Sequence, residues 1–299
     1  MSSASEGPRD WNVRSVLAFA MDDFKKRGVD SPRLEAEVLL AHVLGVDRVR
    51  LVIDSERPLQ GDELERFRAG ILRRRRGEPL AYILGKREFY GRMFKVDARA
   101  LVPRPETEIL VEVALRRTAA RRLFGRALDL CTGSGCVAVS FARERPTWHV
   151  TGTDRSSDAL GLARENAQRL GALWGVRFAE GDLFGAIGAQ ERFELIVSNP
   201  PYIPSAEIAG LAEDVREFEP HLALDGGATG LDFYERIAIE ALPHLTLGGV
   251  LAVEVGAGQA GDVRALFERA GLLDLELTRD YAGIERVVSG KAPAERRAS

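Results

Sequence analysis

From residue 127 to residue 289 the chain alternates short apolar runs with stretches of helical periodicity, and nothing else in it restricts the fold so tightly. Apolar runs fall at 127–130, 149–153, 176–179, 195–198, 250–255, 273–278 and 285–289, each of strand length. Helical patterns fall between most of them, notably at 158–170, 231–242 and 261–270. A strand followed by a helix returns to pair in parallel with the next strand. The alternation therefore predicts an α/β fold, a mostly parallel sheet with helices on both faces. Such sheets take ligands at the carboxyl ends of their strands.

Upstream the pattern is different. Residues 11–76 read as helical. Ser31 is placed as an N-cap with Pro32 at the first helical position, and Leu34, Val38, Leu39 and Val43 recur at helical spacing before Gly45. A second helix is expected from 62 to 72, ending in Arg73-Arg74-Arg75-Arg76 before Gly77. Cations in a last turn complement the helix dipole; contact with an anionic partner is the alternative for that run. Around Gly91 the aromatic, alternating segment from Phe89 to Val96 predicts a β-hairpin, and after Pro105 a helix runs to about residue 122. The expected division is a helical bundle at 1–76, a hairpin linker at 77–104, the sheet domain at 105–290 and a disordered tail at 291–299.

Composition excludes several classes. At 299 residues there is room for about two domains. The longest apolar stretches, such as 249–255, fall far short of the ~20 residues of a membrane helix, so no membrane association is expected. Glu6, Arg9 and Asp10 interrupt the first residues where a secretory signal would need an apolar run, and Asp22 and Asp23 argue against a mitochondrial presequence. A net charge of −3 gives no broad basic face, so direct sequence-specific binding of nucleic acid is not expected. Two cysteines, Cys131 and Cys136, make no disulfide framework, which suits a reducing, cytoplasmic location. The four histidines have no partners at zinc-ligand spacing, so no metal is expected.

Two segments carry chemistry. Asp129-Leu130-Cys131-Thr132-Gly133-Ser134-Gly135 follows a strand and opens a helix. Glycines at 133 and 135 let the backbone turn tightly and approach a ligand. Asp154 ends the next strand, where a carboxylate can accept from both hydroxyls of a ribose, and Asp182-Leu183 follow the third, where Asp182 can meet an adenine amino group. Singly, each is as easily a tight turn or a loop acid; three acids at three successive strand ends with a glycine turn make a constellation. No base lies near Cys131 or Cys136 in sequence, so neither is expected to be a nucleophile. After the strand at 195–198 comes Asn199-Pro200-Pro201-Tyr202. A planar nitrogen is a poor nucleophile because its lone pair is delocalised, so it must be held facing the electrophile. The Asn199 side-chain oxygen and the Pro200 carbonyl can each accept one N–H and stabilise charge growing on nitrogen. Pro200 and Pro201 fix φ and bring no competing donor, and Tyr202 can wall one face of a flat amide. The bland alternative is a strand ended by a rigid Pro-Pro turn.

The acids and the glycine turn together resemble the class I, seven-stranded methyltransferases that bind S-adenosylmethionine, with Cys131 where many of them have Gly. The tetrapeptide resembles the signature of amino-methyltransferases acting on glutamine or on exocyclic amines of DNA and RNA bases. Gly77-Glu78-Pro79-Leu80-Ala81-Tyr82-Ile83-Leu84-Gly85, Glu88-Phe89-Tyr90-Gly91 and Pro103-Arg104-Pro105-Glu106-Thr107-Glu108 narrow this further. With Phe218-Glu219-Pro220, Glu254, Asp280-Tyr281 and Glu285-Arg286-Val287 they resemble the peptide chain release factor glutamine N5-methyltransferases, the PrmC/HemK family. The resemblance implies methyl transfer from S-adenosylmethionine, leaving S-adenosylhomocysteine, to the glutamine of the release factor Gly-Gly-Gln loop, with the helical bundle helping to hold the release factor. It carries over Asn199, Pro200, Pro201 and Tyr202 as the glutamine pocket, and Cys131, Thr132, Gly133, Ser134, Gly135 and Asp154 as the cofactor pocket. Asp129, Asp182, Leu183 and Asn199 are expected beside the same cofactor. Arg104 and Glu219 receive no role from the sequence. The nearest alternative is a glutamine methyltransferase of a ribosomal protein, and after it a DNA or RNA amino-methyltransferase or a silent cofactor-binding module.

Overall fold

Helix α1 (Val13–Lys26) starts where the Asn12 side chain accepts from the Ser15 amide at 2.8 Å while Ser15 Oγ accepts from the Asn12 amide at 3.0 Å. That reciprocal box satisfies two amides a helix start would otherwise leave bare. Helix α2 (Pro32–Leu44) has proline at its first position and ends on Gly45 at φ +67°. Ser31 precedes it as expected but makes no side-chain capping bond. Helices α3 (Arg48–Ile53), α4 (Gly61–Arg75) and α5 (Leu80–Leu84) complete the helical unit. The structure, a computed structural model, describes residues 11–121 and 123–295, and in it the chain divides into units 1–84 and 85–299. Unit 1 thus takes in α5, beyond the boundary expected at residue 76. Its core is Val16, Ala20 and Phe24 of α1, Leu39 and Leu40 of α2, and Phe67 and Ile71 of α4. The arginine run is engaged within this unit: Arg73 pairs with Glu78, Arg74 with Glu35 at 2.7 Å and Arg75 with Asp23 at 2.8 Å.

Unit 2 opens with a hairpin, β1 (Lys86–Phe89) against β2 (Arg92–Lys95), turned at Tyr90-Gly91 with both φ positive. Helix α6 (Glu108–Arg117) follows a 3₁₀ turn, Pro105–Thr107; it ends short of the limit expected at residue 122, which lies outside the described residues. Then come β3 (Arg126–Leu130), α7 (Cys136–Glu144), β4 (His149–Asp154), α8 (Ser157–Arg169), β5 (Val176–Glu180), β6 (Phe193–Ser198), α9 (Glu213–Phe218), α10 (Asp232–His244), β7 (Leu245–Glu254), α11 (Ala260–Ala270), β8 (Leu273–Arg279) and β9 (Glu285–Lys291). The sheet order is β5-β4-β3-β6-β7-β9-β8; β9 runs antiparallel to both its neighbours, and the other pairings are parallel. The expected α/β fold with a seven-stranded, mostly parallel sheet is what forms.

Successive residues of a strand point to opposite faces, so a strand buried on both faces reads as a continuous apolar run. In β6, Leu195 and Val197 join a cluster with Val137, Phe141 and Trp148, whereas Ile196 joins Tyr234, Ile237, Val263 and Phe267 on the other face. The chain builds β3, β4 and β5 outward in one direction, then returns to lay β6 on the other side of β3. Loops leaving the carboxyl ends of β3 and β6 therefore diverge and leave a crevice between them.

Two further features differ from expectation. Strand β7 begins at Leu245, with a register shift against β6, rather than at 250. The segment read as a tail begins as sheet: Lys291 closes β9 and the Ala292 amide donates to the Gly249 carbonyl at 2.8 Å. Residues 296–299 lie outside the described residues. No helix among the described residues is long and apolar enough to cross a membrane.

Candidate functional site

The turn after β3 is built by its own side chains. Asp129, buried at the end of β3, accepts at Oδ2 from the Thr132 hydroxyl at 2.6 Å and from the Ala138 amide in the first turn of α7 at 3.1 Å. Burial pushes its carboxyl up to about 7 while these two bonds pull the other way. Cys131, Gly133 and Gly135 all have positive φ, at +56°, +53° and +78°. The Thr132 amide donates to the Thr153 carbonyl of β4 at 2.9 Å, fixing the turn against the next strand.

Asp154 is bound into the same unit. Its Oδ2 accepts from the Gly133 amide and its Oδ1 from the Ser156 amide, both at 2.9 Å. Burial raises its pKa against those bonds. A carboxylate oxygen has two acceptor sites, so each retains capacity for a hydroxyl. Asp182 and Leu183 follow β5, with Leu183 buried at φ +48°. The Asp182 carboxylate is not free, however: Arg236 of α10 holds it with contacts of 2.8 and 3.3 Å. Arg236 carries no local signal; only the fold brings it beside β5.

Asn199 follows β6, whose end is tied to β3 by the Ser198 hydroxyl donating to the Leu130 carbonyl at 2.9 Å. The Asn199 side-chain nitrogen donates to the Thr107 hydroxyl at 3.1 Å. Pro200 is buried, and the Tyr202 ring packs against the core cluster of α10 and α11. Burial, with the Glu254 charge adding, pushes the Tyr202 phenol up to about 12. The Tyr202 carbonyl accepts from Gln259 at 3.0 Å, and a Cβ on Gly230 would sit 2.3 Å from it. Gly230, at φ +74°, is thus required by a close approach that sequence reading passed over.

These elements line a cleft that is open to solvent. Asp129, Cys131, Thr132, Gly133 and Ser134 line one end. Asp154, Asp182, Leu183, Asn199 and Pro201 line it too; Gly135, Pro200 and Tyr202 stand behind. Arg104 and Glu219, left without roles by the sequence, form a pair at its rim. Glu219 is buried and accepts from Arg104 at 2.7 Å and from the Val102 amide at 3.4 Å. That bond ties the loop after α9 to the segment before α6. The cleft gathers a glycine turn at a helix start, an acid at a strand end and a side-chain amide at the carboxyl ends of neighbouring strands, the few convergent polar groups of a small-molecule site.

Residues 15–85 match the family model of the PrmC N-terminal domain, and residues 105–216 that of the methyltransferase small domain. The release factor glutamine methyltransferase of Geobacter sulfurreducens is 46% identical over 287 residues, spanning 96% of this chain and 99% of its own. That of Chlorobaculum tepidum is 44% identical over 286 residues, spanning 93% and 97%. Among solved structures, a methyltransferase from Pyrococcus furiosus aligns with a TM-score of 0.50 at 19% identity over 67% of this chain and 88% of that one, a likeness of fold alone.

Proposed function

This chain belongs to the release factor glutamine methyltransferase family, and from that premise we propose that it transfers a methyl group from S-adenosylmethionine to the side-chain amide nitrogen, N5, of the glutamine in the Gly-Gly-Gln loop of peptide chain release factors. The observation that carries the chemistry is the held Asn199 amide. Its nitrogen is committed to Thr107, which leaves its oxygen as the acceptor available to an incoming N–H.

The residues of the cleft fit the cofactor. The β3–α7 turn opens a helix, whose N-terminus favours a carboxylate, and Asp154 stands at a strand end suited to ribose hydroxyls. With Asp182 held by Arg236, contact with the base falls to Leu183 and the backbone beside it as much as to the Asp182 carboxylate. When bound, the cofactor supplies a methyl made electrophilic by its sulfonium, a good leaving group. The protein's part is orientation. The Asn199 oxygen and the Pro200 carbonyl each take one N–H of the substrate amide, turn its nitrogen toward the methyl, and stabilise positive charge developing there. Pro201 lines the pocket, and Tyr202, its ring packed into the core and its backbone clamped by Gly230 and Gln259, holds the loop in shape. No strong base is needed, because transfer leaves the amide nitrogen positively charged with both its hydrogens, and that cation is acidic enough to release one of them to water. Both cysteines are free thiols, in keeping with a cytoplasmic enzyme meeting release factors there.

The test is to incubate the protein with labelled cofactor and, separately, a release factor, a ribosomal protein fraction or DNA, and to locate the label by peptide mass spectrometry. Label on the Gly-Gly-Gln glutamine is expected; label on DNA or on ribosomal protein alone would overturn the proposal. Asn199→Ala should bind S-adenosylhomocysteine as before but lose roughly 30- to 1000-fold in turnover, the usual cost of one acceptor at a developing charge. Near-normal turnover would remove Asn199 from the mechanism.

A further inference from the structure

Between β6 and α10 the chain leaves the sheet and comes back to it. The base of this excursion is closed by backbone bonds: the Ile203 amide donates to the Leu224 carbonyl at 3.1 Å, and the Gly226 amide to the Ile203 carbonyl at 2.8 Å. Beyond the base there is little to hold it. In residues 205–223 only Ile208 and Glu219 are buried, and α9 has no buried residue. Yet the far end of the excursion forms part of the cleft. Pro220, Leu222 and Ala223 line it from this side, as Val102, Pro103 and Arg104 do from the segment before α6. Of the two buried anchors, one is a carboxylate. Glu219 accepts from Arg104 at 2.7 Å and from the Val102 amide at 3.4 Å, so its partners lie on that other segment. A buried charge is costly unless paired, and an apolar side chain would anchor a purely structural loop at less cost. Arg104 is part-exposed, so the pair can open toward solvent.

We propose that Glu219 and Arg104 are positioning residues, a latch that holds residues 205–223 in place as the outer wall of the cofactor pocket and sets how long the cofactor stays. Arg104 lines the cleft and Glu219 does not, so Glu219 acts through its partner and through the excursion that carries it. With the latch made, Pro220, Leu222 and Ala223 keep their place in the wall. With it broken, the excursion is held only by Ile208 and by its base, and the wall is free to swing. Apparent affinity falls with the fraction of molecules whose pocket is complete, so unlatching that leaves about one molecule in ten closed weakens binding about tenfold. The two partners are not equivalent. Without Arg104 the carboxylate is left buried and unpaired, which drives the excursion outward; without Glu219 the guanidinium turns into water. Nothing local in the sequence marks the pair, because Arg104 and Glu219 stand on segments that only the fold brings together.

The inference rests on the cofactor reading of the cleft, and the binding controls separate the two. A parent that fails to bind S-adenosylhomocysteine would refute that reading; a parent that binds it, with an indifferent latch, would refute this inference alone. By calorimetry and stopped flow, Glu219→Met should bind S-adenosylhomocysteine about five- to tenfold more weakly, chiefly through faster dissociation. Arg104→Met should lose at least as much. The double variant should be weakened by less than the product of the two single losses, because both break one contact. In methylation assays KM for S-adenosylmethionine should rise with the dissociation constant, while kcat at saturating cofactor stays within about threefold of the parent. Trypsin reads the movement without any turnover. Arg216, exposed on α9, is the only lysine or arginine in residues 205–223. Cleavage after it should be slowed by S-adenosylhomocysteine in the parent and be faster in Glu219→Met. Parental dissociation in Glu219→Met, or cleavage after Arg216 no faster than in the parent, would overturn the inference. So would independent losses in the double variant, or weakening in Arg104→Met alone, which would mean that Arg104 meets the cofactor directly. Should Glu219→Met fail to fold, Glu219→Gln keeps the shape and drops the charge. It must still speed dissociation by about twofold or more, and a parental rate there would overturn the inference equally.

Discussion

Cys131 holds an ordinary side chain at φ +56°, a conformation that costs an L-residue roughly 1–2 kcal/mol and that glycine adopts freely. Its thiol is pushed far up by burial, with the Asp154 charge adding, so it stays protonated and is no nucleophile. Cys131→Ala should therefore keep kcat within about threefold of the parent; a tenfold fall with cofactor affinity intact would give the thiol a role it is denied here. Glu254 behaves differently. Burial, with the Glu106 charge adding and the Arg286 and Arg104 charges opposing, pushes its carboxyl up to about 7. Tyr202, Tyr234 and Cys136 also feel its charge. As pH falls through about 7 it gains a proton. The linkage has a definite sign: a carboxyl whose folded pKa is raised destabilises the fold most above about 7 and progressively less as pH falls toward the usual carboxylate range. Glu254→Gln should thus melt above the parent at pH 8, with the gap closing at pH 5; a constant gap would mean that Glu254 does not titrate there. Asp154, the glycine turn and Asn199 to Tyr202 were legible in sequence because each is a short local pattern at a strand end. The partners of Thr107 and Arg236 were not, because they lie on other elements and only the fold brings them near.

Among the elements, the strands of the sheet were readable from apolar runs bounded by turns, since a strand buried on both faces cannot hide its composition. The ends were less so. Lys291 reads as the start of a charged tail, yet it pairs with Leu273 and Val250 because backbone pairing is indifferent to side chain. The joint between the hairpin and the sheet was invisible in sequence. It rests on Asn166, a fully buried residue of α8 whose Oδ1 accepts from the Lys95 amide at 2.7 Å. Its nitrogen donates to the Lys95 and Ser134 carbonyls, each at 3.0 Å. One side chain thereby ties β2, α8 and the cofactor turn together, with Lys95 and Arg99 adding ion pairs to Glu165 beside it. Asn166→Ala takes this partner from three backbone groups, one buried and two part-buried, and should cost about 2–4 kcal/mol. That corresponds to a drop of several degrees or more in melting temperature for a unit of this size, accompanied by weaker binding of S-adenosylhomocysteine through the loosened Ser134 turn. A variant melting within a degree of the parent would show that α8 and the hairpin are held by other contacts.

At the scale of the whole molecule the chain carries two cores. Val16, Phe24, Leu39, Phe67 and Ile71 close on one another within unit 1, and the two faces of the sheet supply the cores of unit 2. Every residue lining the cleft belongs to unit 2. Unit 1 contributes no cleft residue, and three of its four consecutive arginines are engaged by its own carboxylates, which points to a structural use of that charge. A glutamine on a flexible loop presents little surface, so affinity for an intact release factor has to come from docking elsewhere on it. We expect that docking to be the work of unit 1. A protein beginning at Gly85 should bind S-adenosylhomocysteine within a fewfold of the full chain and should methylate a short Gly-Gly-Gln peptide at a similar rate. On intact release factor its kcat/KM should fall at least tenfold, a loss of about 1.4 kcal/mol or more, carried mainly by KM. The peptide is the control that separates docking from chemistry: equal losses on peptide and release factor would mean that the truncation has damaged the site itself. If the truncated protein instead binds the cofactor normally and methylates intact release factor as efficiently as the full chain, unit 1 has no part in substrate recognition.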